Sequence, residues 1–200
     1  MENILELLKK INGKINIYMY GSKVYGCTSP QSDNDFIVVT NGTEQGEQYH
    51  LDNIEITIYG QQQFQRMIDE HEITALECLF LKPDYIITQT KRLPFKLDLQ
   101  KLRESFARKS SNSWAKANKK LSIEKDFNPY IAKKSLFHSF RILYFGIQIA
   151  LYGKIVDYQE ANWLYYEIMN NPSEKWEDYK QKYQPLYNEI RSKFREVCPK

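Results

Sequence analysis

What most limits the fold of this chain is a change in its hydrophobic period. Up to about residue 90 the apolar residues include short alternating runs, whereas beyond about residue 97 they recur only at helical spacing. Ile15, Ile17 and Met19 alternate within KINIYMY, DFIVV is a short apolar run that reads as a buried strand, and Ile54, Ile56 and Ile58 alternate against Glu55 and Thr57. Between the last two, the polar run TNGTEQGEQ reads as a turn or hairpin, and DYIITQT reads as one more short strand. Ile4, Leu5, Leu8 and Ile11 give a helix before the first strand. After Gly60, Phe64, Met67 and Ile68, then Leu76, Leu79 and Phe80, give helical turns that stop near Lys82-Pro83.

In the second half, Leu99, Leu102 and Phe106 mark one helix and the stretch from Trp114 to Leu121 another. YIAKKSLFHSFRILYFGIQIALYG is a long, largely buried helix ending at Gly153. Asp157 and Glu160 make a capping pair for a following helix, and Pro172-Ser173 opens a last one with Trp176, Tyr179, Tyr183, Leu186, Ile190 and Phe194 on its apolar face. Strands followed by a run of helices predict an α+β fold: a small mixed N-terminal sheet with helices over residues 1–92, then a C-terminal helical subdomain over 93–200. At 200 residues the chain can build one good core or two small ones.

Charge is informative only when divided along the chain. The net +3 resolves into −5 over residues 1–100, +9 over 101–154 and −1 over 155–200, which predicts an anionic partner for the middle segment. There, Arg108, Lys109, Lys116, Lys119 and Lys120 surround Trp114, a composition that suits a nucleic-acid backbone with one stacking aromatic and suits a solvated helix surface slightly better. Cys27, Cys78 and Cys198 are too few and too scattered for a disulfide framework or a zinc site, so reduced thiols are expected. No run nears the roughly 18 apolar residues of a membrane span, and an intracellular, soluble, cytoplasmic protein is expected.

The chemistry concentrates in YGSKVYGCTSPQSDNDFIVV. Side chains on a strand alternate faces, so Asp33 and Asp35 point the same way and Asn34 the other. Two adjacent carboxylates repel unless a cation lies between them, and oxygen-only ligands suit Mg²⁺ or Mn²⁺. Glu55, opposite in face to Ile54, Ile56 and Ile58, is the first candidate for a third carboxylate, with Asp52 its competitor. Gly21-Ser22 follows the apolar run directly. Glycine lets the backbone approach an anion, the Ser22 hydroxyl and adjacent N–H groups can hold phosphate oxygens, and Lys23 adds positive charge. In the long helix, Lys134, His138 and Arg141 recur at one face, fit either for a triphosphate or for solvent. His50 and His71 read as surface residues.

These residues resemble the signature of the nucleotidyltransferase superfamily related to DNA polymerase β: Gly-Ser, about ten residues, Asp-x-Asp before apolar residues, and a later acidic residue on a strand. Carried over, Gly21 and Ser22 match the phosphate-binding pair, Asp33 and Asp35 the metal ligands, and Glu55 the third carboxylate. HEITALECLF, with Thr74, Leu76, Glu77 and Leu79, and KKSLFHSFRILYFG resemble segments of the RNA-repair-pathway subgroup, with Glu72-Ile73 standing where that subgroup has Asn-Pro. The resemblance implies a two-metal transfer of a nucleoside monophosphate from a nucleoside triphosphate to a hydroxyl, with an RNA end as the acceptor. A protein or small-molecule acceptor is the alternative within that class. A catalytically inactive RNA-binding module is the alternative outside it.

Overall fold

The computed structural model describes Leu8, residues 11–29 and residues 32–199. It divides into two compact units, residues 1–96 and 97–200. The helix expected over the first eleven residues lies outside the described residues apart from Leu8 and Ile11.

The first unit is built on a five-stranded mixed sheet. Its strands are β1 (Lys14–Tyr20), β2 (Asn34–Thr40), β3 (Gln45–Leu51), β4 (Ile54–Gly60) and β5 (Ile86–Gln89), in the spatial order β3-β4-β2-β1-β5. β1 runs antiparallel to β2 and β5, β3 antiparallel to β4, and β2 parallel to β4. A single-turn helix α1 (Ser22–Tyr25) follows β1, and α2 (Gln61–Asp69) and α3 (Ile73–Leu79) follow β4. Alternation sorts the core: Ile17, Phe36, Val38, Ile56 and Ile58 pack with Leu8 on one face. Tyr18, Ile37 and Val39 are buried on the other, where Phe64 of α2 stacks on Tyr18 at 6.1 Å between ring centroids.

The run expected as a turn or hairpin leads into the strand β3, which no apolar row marks. Its sequence, QGEQYHL, alternates poorly because it is a sheet edge with most residues exposed, held by its pairing to β4 rather than by an apolar face. Asp52, in the two-residue connection from β3 to β4, adopts a left-handed backbone at φ 50°, a conformation Asp and Asn tolerate best among side-chain-bearing residues. His71 is also not a surface residue: it is 1% exposed, its ring lies 5.2 Å from that of Phe95, and its Nδ1 is 3.2 Å from the Asp69 carbonyl.

The second unit contains α4 (Leu99–Ser122), α5 (Pro129–Tyr152), α6 (Asn162–Met169) and α7 (Trp176–Val197). The two helices expected before residue 122 are one continuous helix, capped by Asp98, whose Oδ1 accepts from the N–H groups of Gln100 and Lys101 at 3.0 Å each. Its polar middle is partly interior: Ser110 is fully buried and donates to the Ser139 carbonyl at 2.7 Å. The Asp157 and Glu160 capping pair does not form. Asp157 Oδ1 takes the Gln159 N–H and the Glu160 carboxyl takes the Gln148 amide, and α6 begins only at Asn162. Ser173 likewise closes a turn with Lys175 N–H, and α7 starts at Trp176. Gly146 sits where a Cβ would lie 2.6 Å from the Phe194 ring, so that helix α5 and Phe194 approach closely.

Candidate active site

The site is assembled at the ends of β1, β2 and β4. β1 ends at Tyr20, and Gly21 turns the chain with φ 75° and ψ −153°, a combination essentially confined to glycine. Val24 and Tyr25 N–H donate to the Gly21 carbonyl at 3.0 and 3.3 Å, closing α1, and Gly26 ends it in a left-handed conformation at φ 70°. The N–H groups of Ser22 and Lys23 begin this turn and have no intrahelical acceptor.

Asp35 lies beside that turn. In the antiparallel ladder it pairs with Tyr20, and in the parallel ladder with Glu55, so Asp35 and Glu55 are in register on neighbouring strands and share a face. A Cβ on Gly21 would stand 1.7 Å from Asp35 Oδ2 and 2.7 Å from its Cγ. The absence of a side chain at Gly21 is therefore what gives the Asp35 carboxylate its place. Asp33, exposed, immediately precedes β2, and Glu55 is half-exposed with Oε2 4.0 Å from Nδ1 of His50 on β3. Farther along the Glu55 face, Thr57 is 8% exposed, so this side of β4 is covered rather than open to water.

Lys23 does not reach toward these carboxylates. Its ammonium donates to Asn34 Oδ1, on the residue that strand alternation turns away from Asp35. Asn34 is itself fixed, with its backbone N–H and its side-chain Nδ2 donating to the Asn53 carbonyl at 2.7 and 3.2 Å. Asp52, the competitor for the third carboxylate, is exposed in the β3–β4 turn.

Behind the turn lies a buried acid. Glu77 of α3 is 1% exposed, and both Tyr20 and Tyr25 donate their hydroxyls to its Oε2, at 2.5 and 3.0 Å. Thr74 Oγ1 is 3.4 Å from the Tyr20 hydroxyl, and the two tyrosine rings meet edge to face at 6.1 Å. Burial, reinforced by the Glu77 carboxyl, pushes the Tyr20 hydroxyl well above the usual tyrosine range.

The fold of the second unit places the basic residues singled out in the sequence in three settings. His138, on α5, has its Nδ1 buried without a hydrogen-bond partner, and burial, then the charges of Arg141, Lys134 and Lys116, hold its pKa well below the ordinary value. Arg141 is buried, its guanidinium 5.5 Å from the Phe145 ring centre and 6.0 Å from that of Phe137, and Lys134 Nζ lies 5.3 Å from the Tyr130 ring. Arg108, Lys109 and Lys116 are exposed, whereas Lys119 and Lys120 both engage Asp126 and hold its carboxyl below the usual range, chiefly through the Lys120 hydrogen bond. Trp114 is not a free stacking surface. It stacks on Tyr187 at 4.4 Å and meets Trp176 and Phe140 edge-on at 5.3 and 6.1 Å.

Among the described residues no three His, Cys, Asp or Glu side chains are gathered into a ready cation cluster. Asp33, Asp35 and Glu55 nevertheless supply the hard oxygen donors that Mg²⁺ or Mn²⁺ takes, and the seat cleared for Asp35 beside Gly21 fits that use. No helix among the described residues is long and apolar enough to cross a membrane.

Residues 1–95 match the family described as Nucleotidyltransferase domain. Among solved structures, the chain is similar to a spectinomycin adenyltransferase from Enterococcus faecialis solved with ATP and spectinomycin, at 15% identity over 98% of this chain and 99% of that one, with a TM-score of 0.49. It is also similar to a nucleotidyltransferase-like protein from Exiguobacterium sibiricum, at 14% identity over 98% of this chain and 73% of that one, with a TM-score of 0.35. No curated protein matches the chain.

Proposed function

We propose, since residues 1–95 match the nucleotidyltransferase domain family, that the chain transfers a nucleoside monophosphate from a nucleoside triphosphate to a hydroxyl. In that reaction the acceptor oxygen bonds to the α-phosphorus, the bond from that phosphorus to the pyrophosphate oxygen breaks, and the hydroxyl proton passes to solvent. The observation that carries the reading is the seat of Asp35, in register with Glu55 and filling the space a Gly21 side chain would occupy.

Asp33, Asp35 and Glu55 are the residues that would hold Mg²⁺ or Mn²⁺. Two such ions, when bound, supply activation of the attacking hydroxyl and neutralisation of the leaving pyrophosphate. Gly21 and Ser22 present backbone N–H groups and a hydroxyl to the β- and γ-phosphates. Lys23, tied to Asn34, steadies the turn from its far side. Lys134 and Arg141 supply positive charge in the second unit, and His138, whose pKa is held well below the ordinary value, serves there as a neutral hydrogen-bonding group.

The acceptor is proposed only as a hydroxyl. An RNA end now rests on the exposed Arg108, Lys109 and Lys116, because Trp114 packs on other aromatic rings and Lys119 and Lys120 engage Asp126. A small molecule or a protein serves the same chemistry. The test is incubation of the protein with Mg²⁺ or Mn²⁺ and each labelled nucleoside triphosphate, offering in turn an RNA pool, a panel of small hydroxyl compounds and the protein itself. Metal-dependent label transfer that disappears in the Asp33→Asn plus Asp35→Asn double variant is the expected result. Transfer that persists in that variant would remove the site assignment.

A further inference from the structure

Glu77 has no role in the transfer just described, yet it is a carboxyl group almost without solvent contact on a helix whose inward neighbours, Ala75, Leu76 and Cys78, are all fully buried. A buried acid is costly unless donors reach it. Here two donors come from the two ends of the Gly21–Val24 segment: Tyr20 is the residue before Gly21, and Tyr25 is the last residue of α1. Both hydroxyls converge on one oxygen, Oε2. The acid thus fixes the two flanks of the turn relative to each other and to α3.

The turn needs such a hold. Gly21 has the widest conformational freedom of any residue type, and the four-residue α1 is closed by few backbone hydrogen bonds of its own, with Lys23 tied to Asn34 as a side-chain hold on its first turn. Between Tyr20 and Tyr25 lie the Ser22 and Lys23 N–H groups, and Asp35 Oδ2 rests against Gly21. A shift of the turn would therefore move the phosphate donors and the seat of Asp35 together.

From this geometry we infer that Glu77, with Tyr20 and Tyr25, is a positioning residue for the phosphate-binding turn: it acts through the two tyrosines and touches no substrate. The inference rests on the reading of Gly21-Ser22 as the triphosphate site. Its test separates positioning from stability. Tyr20→Phe plus Tyr25→Phe removes both donors with little change of shape, and adding Glu77→Leu to that pair returns an apolar interior. Replacing both partners of a buried hydrogen bond by apolar groups is close to neutral for stability, whereas leaving one partner stranded is not.

The measurements are the urea unfolding midpoint and the binding of sodium tripolyphosphate and of each of the four nucleoside triphosphates, all with Mg²⁺, to the full chain. In the double variant we expect a lowered midpoint and binding weakened roughly tenfold to a hundredfold, the scale for loss of an outer-shell support. In the triple variant the midpoint returns toward wild type while binding stays weak. Glu77→Gln, which keeps an oxygen acceptor, should bind better than Glu77→Leu. If the triple variant recovers binding along with stability, Glu77 is structural only and the inference fails while the proposed function stands. If the wild-type chain binds neither tripolyphosphate nor any of the four nucleoside triphosphates, the phosphate site itself is wrong and the inference falls with it.

Discussion

Replacing Gly21 by alanine tests the centre of the proposed site, because one methyl group meets two separate obstacles there. The backbone at φ 75° and ψ −153° lies in a region that side chains rarely enter, at a cost on the order of 1–3 kcal/mol. The added Cβ would stand 1.7 Å from Asp35 Oδ2, where ordinary contact begins near 3.4 Å, so the carboxylate or the turn must retreat by roughly 1.7 Å. A displacement beyond about 1 Å at reacting groups costs roughly a hundredfold or more in rate. Gly153→Ala provides the matched control. Its φ is 71°, so alanine is strained by about 1–2 kcal/mol, but a Cβ there meets nothing within 4 Å and the residue caps α5 in the other unit.

Both variants should lose thermal stability, by about 2–4 °C for each kcal/mol in a chain of this length. Only Gly21→Ala should lose metal-dependent label transfer and tripolyphosphate binding. The assay is the label-transfer experiment run beside thermal unfolding for the two variants and wild type. Equal activity in Gly21→Ala and Gly153→Ala would refute the placing of Asp35 and the turn in one site.

Glu55→Gln keeps the β4 register and should leave the unfolding midpoint near wild type while abolishing transfer; retained transfer with either Mg²⁺ or Mn²⁺ would take Glu55 out of the metal set. His138 has a folded pKa well below its unfolded value of about 6.5, so in acid the unfolded chain takes up a proton that the folded chain refuses. Stability should therefore fall as pH drops below about 6.5, by up to about 1.4 kcal/mol per pH unit, and be unaffected by this group above it. Thermal unfolding of wild type and His138→Gln between pH 7.5 and 5 checks this, since the substituted chain should show the shallower fall, and parallel curves would contradict it. Trp114→Ala should cost about 3 kcal/mol, near the lower end for a large aromatic because the ring is half-buried, read from urea unfolding. A cost below about 1 kcal/mol would show that its contacts with Tyr187, Trp176 and Phe140 contribute little.

Where the sequence and the fold agree, one face of an element carries the pattern alone. β1, β2 and β4 are legible because each puts an apolar row on a buried face, and the long α5 because apolar residues fill most of its circumference. β3 is illegible for the opposite reason: an edge strand of Gln, Glu and His is defined by backbone pairing, which composition does not report. The single helix α4 reads as two because RKSSNS breaks the apolar period. Yet Ser110 within it is interior, its hydroxyl satisfied by the Ser139 carbonyl and 2.9 Å from the Tyr187 hydroxyl, and no local pattern can announce a partner 77 residues away. His71 and Trp114 mislead similarly, since a histidine or a tryptophan among polar neighbours reads as surface until tertiary contacts enclose it.

The site divides along the same line. The expectation that Asp33 and Asp35 share a face, and the placing of Glu55 opposite Ile54 and Ile56, use only alternation along one run, although Asp33 itself precedes β2. That Asp35 is directly abreast of Glu55 depends on β2 and β4 being parallel and in a particular register, a relation between strands twenty residues apart that no single run encodes. Glu77 shows the limit most sharply. Its place in HEITALECLF can be recognised by resemblance, but its environment cannot, because the residues that make a buried carboxyl tolerable there are Tyr20 and Tyr25, 57 and 52 positions earlier. Those tyrosines appear in the sequence only as aromatics flanking Gly-Ser. The geometry turns them outward from that role: their rings fill space behind the turn, their hydroxyls satisfy an acid on α3, and the phosphate-binding segment is thereby tied to the helical layer of its own unit rather than left to hang on a glycine.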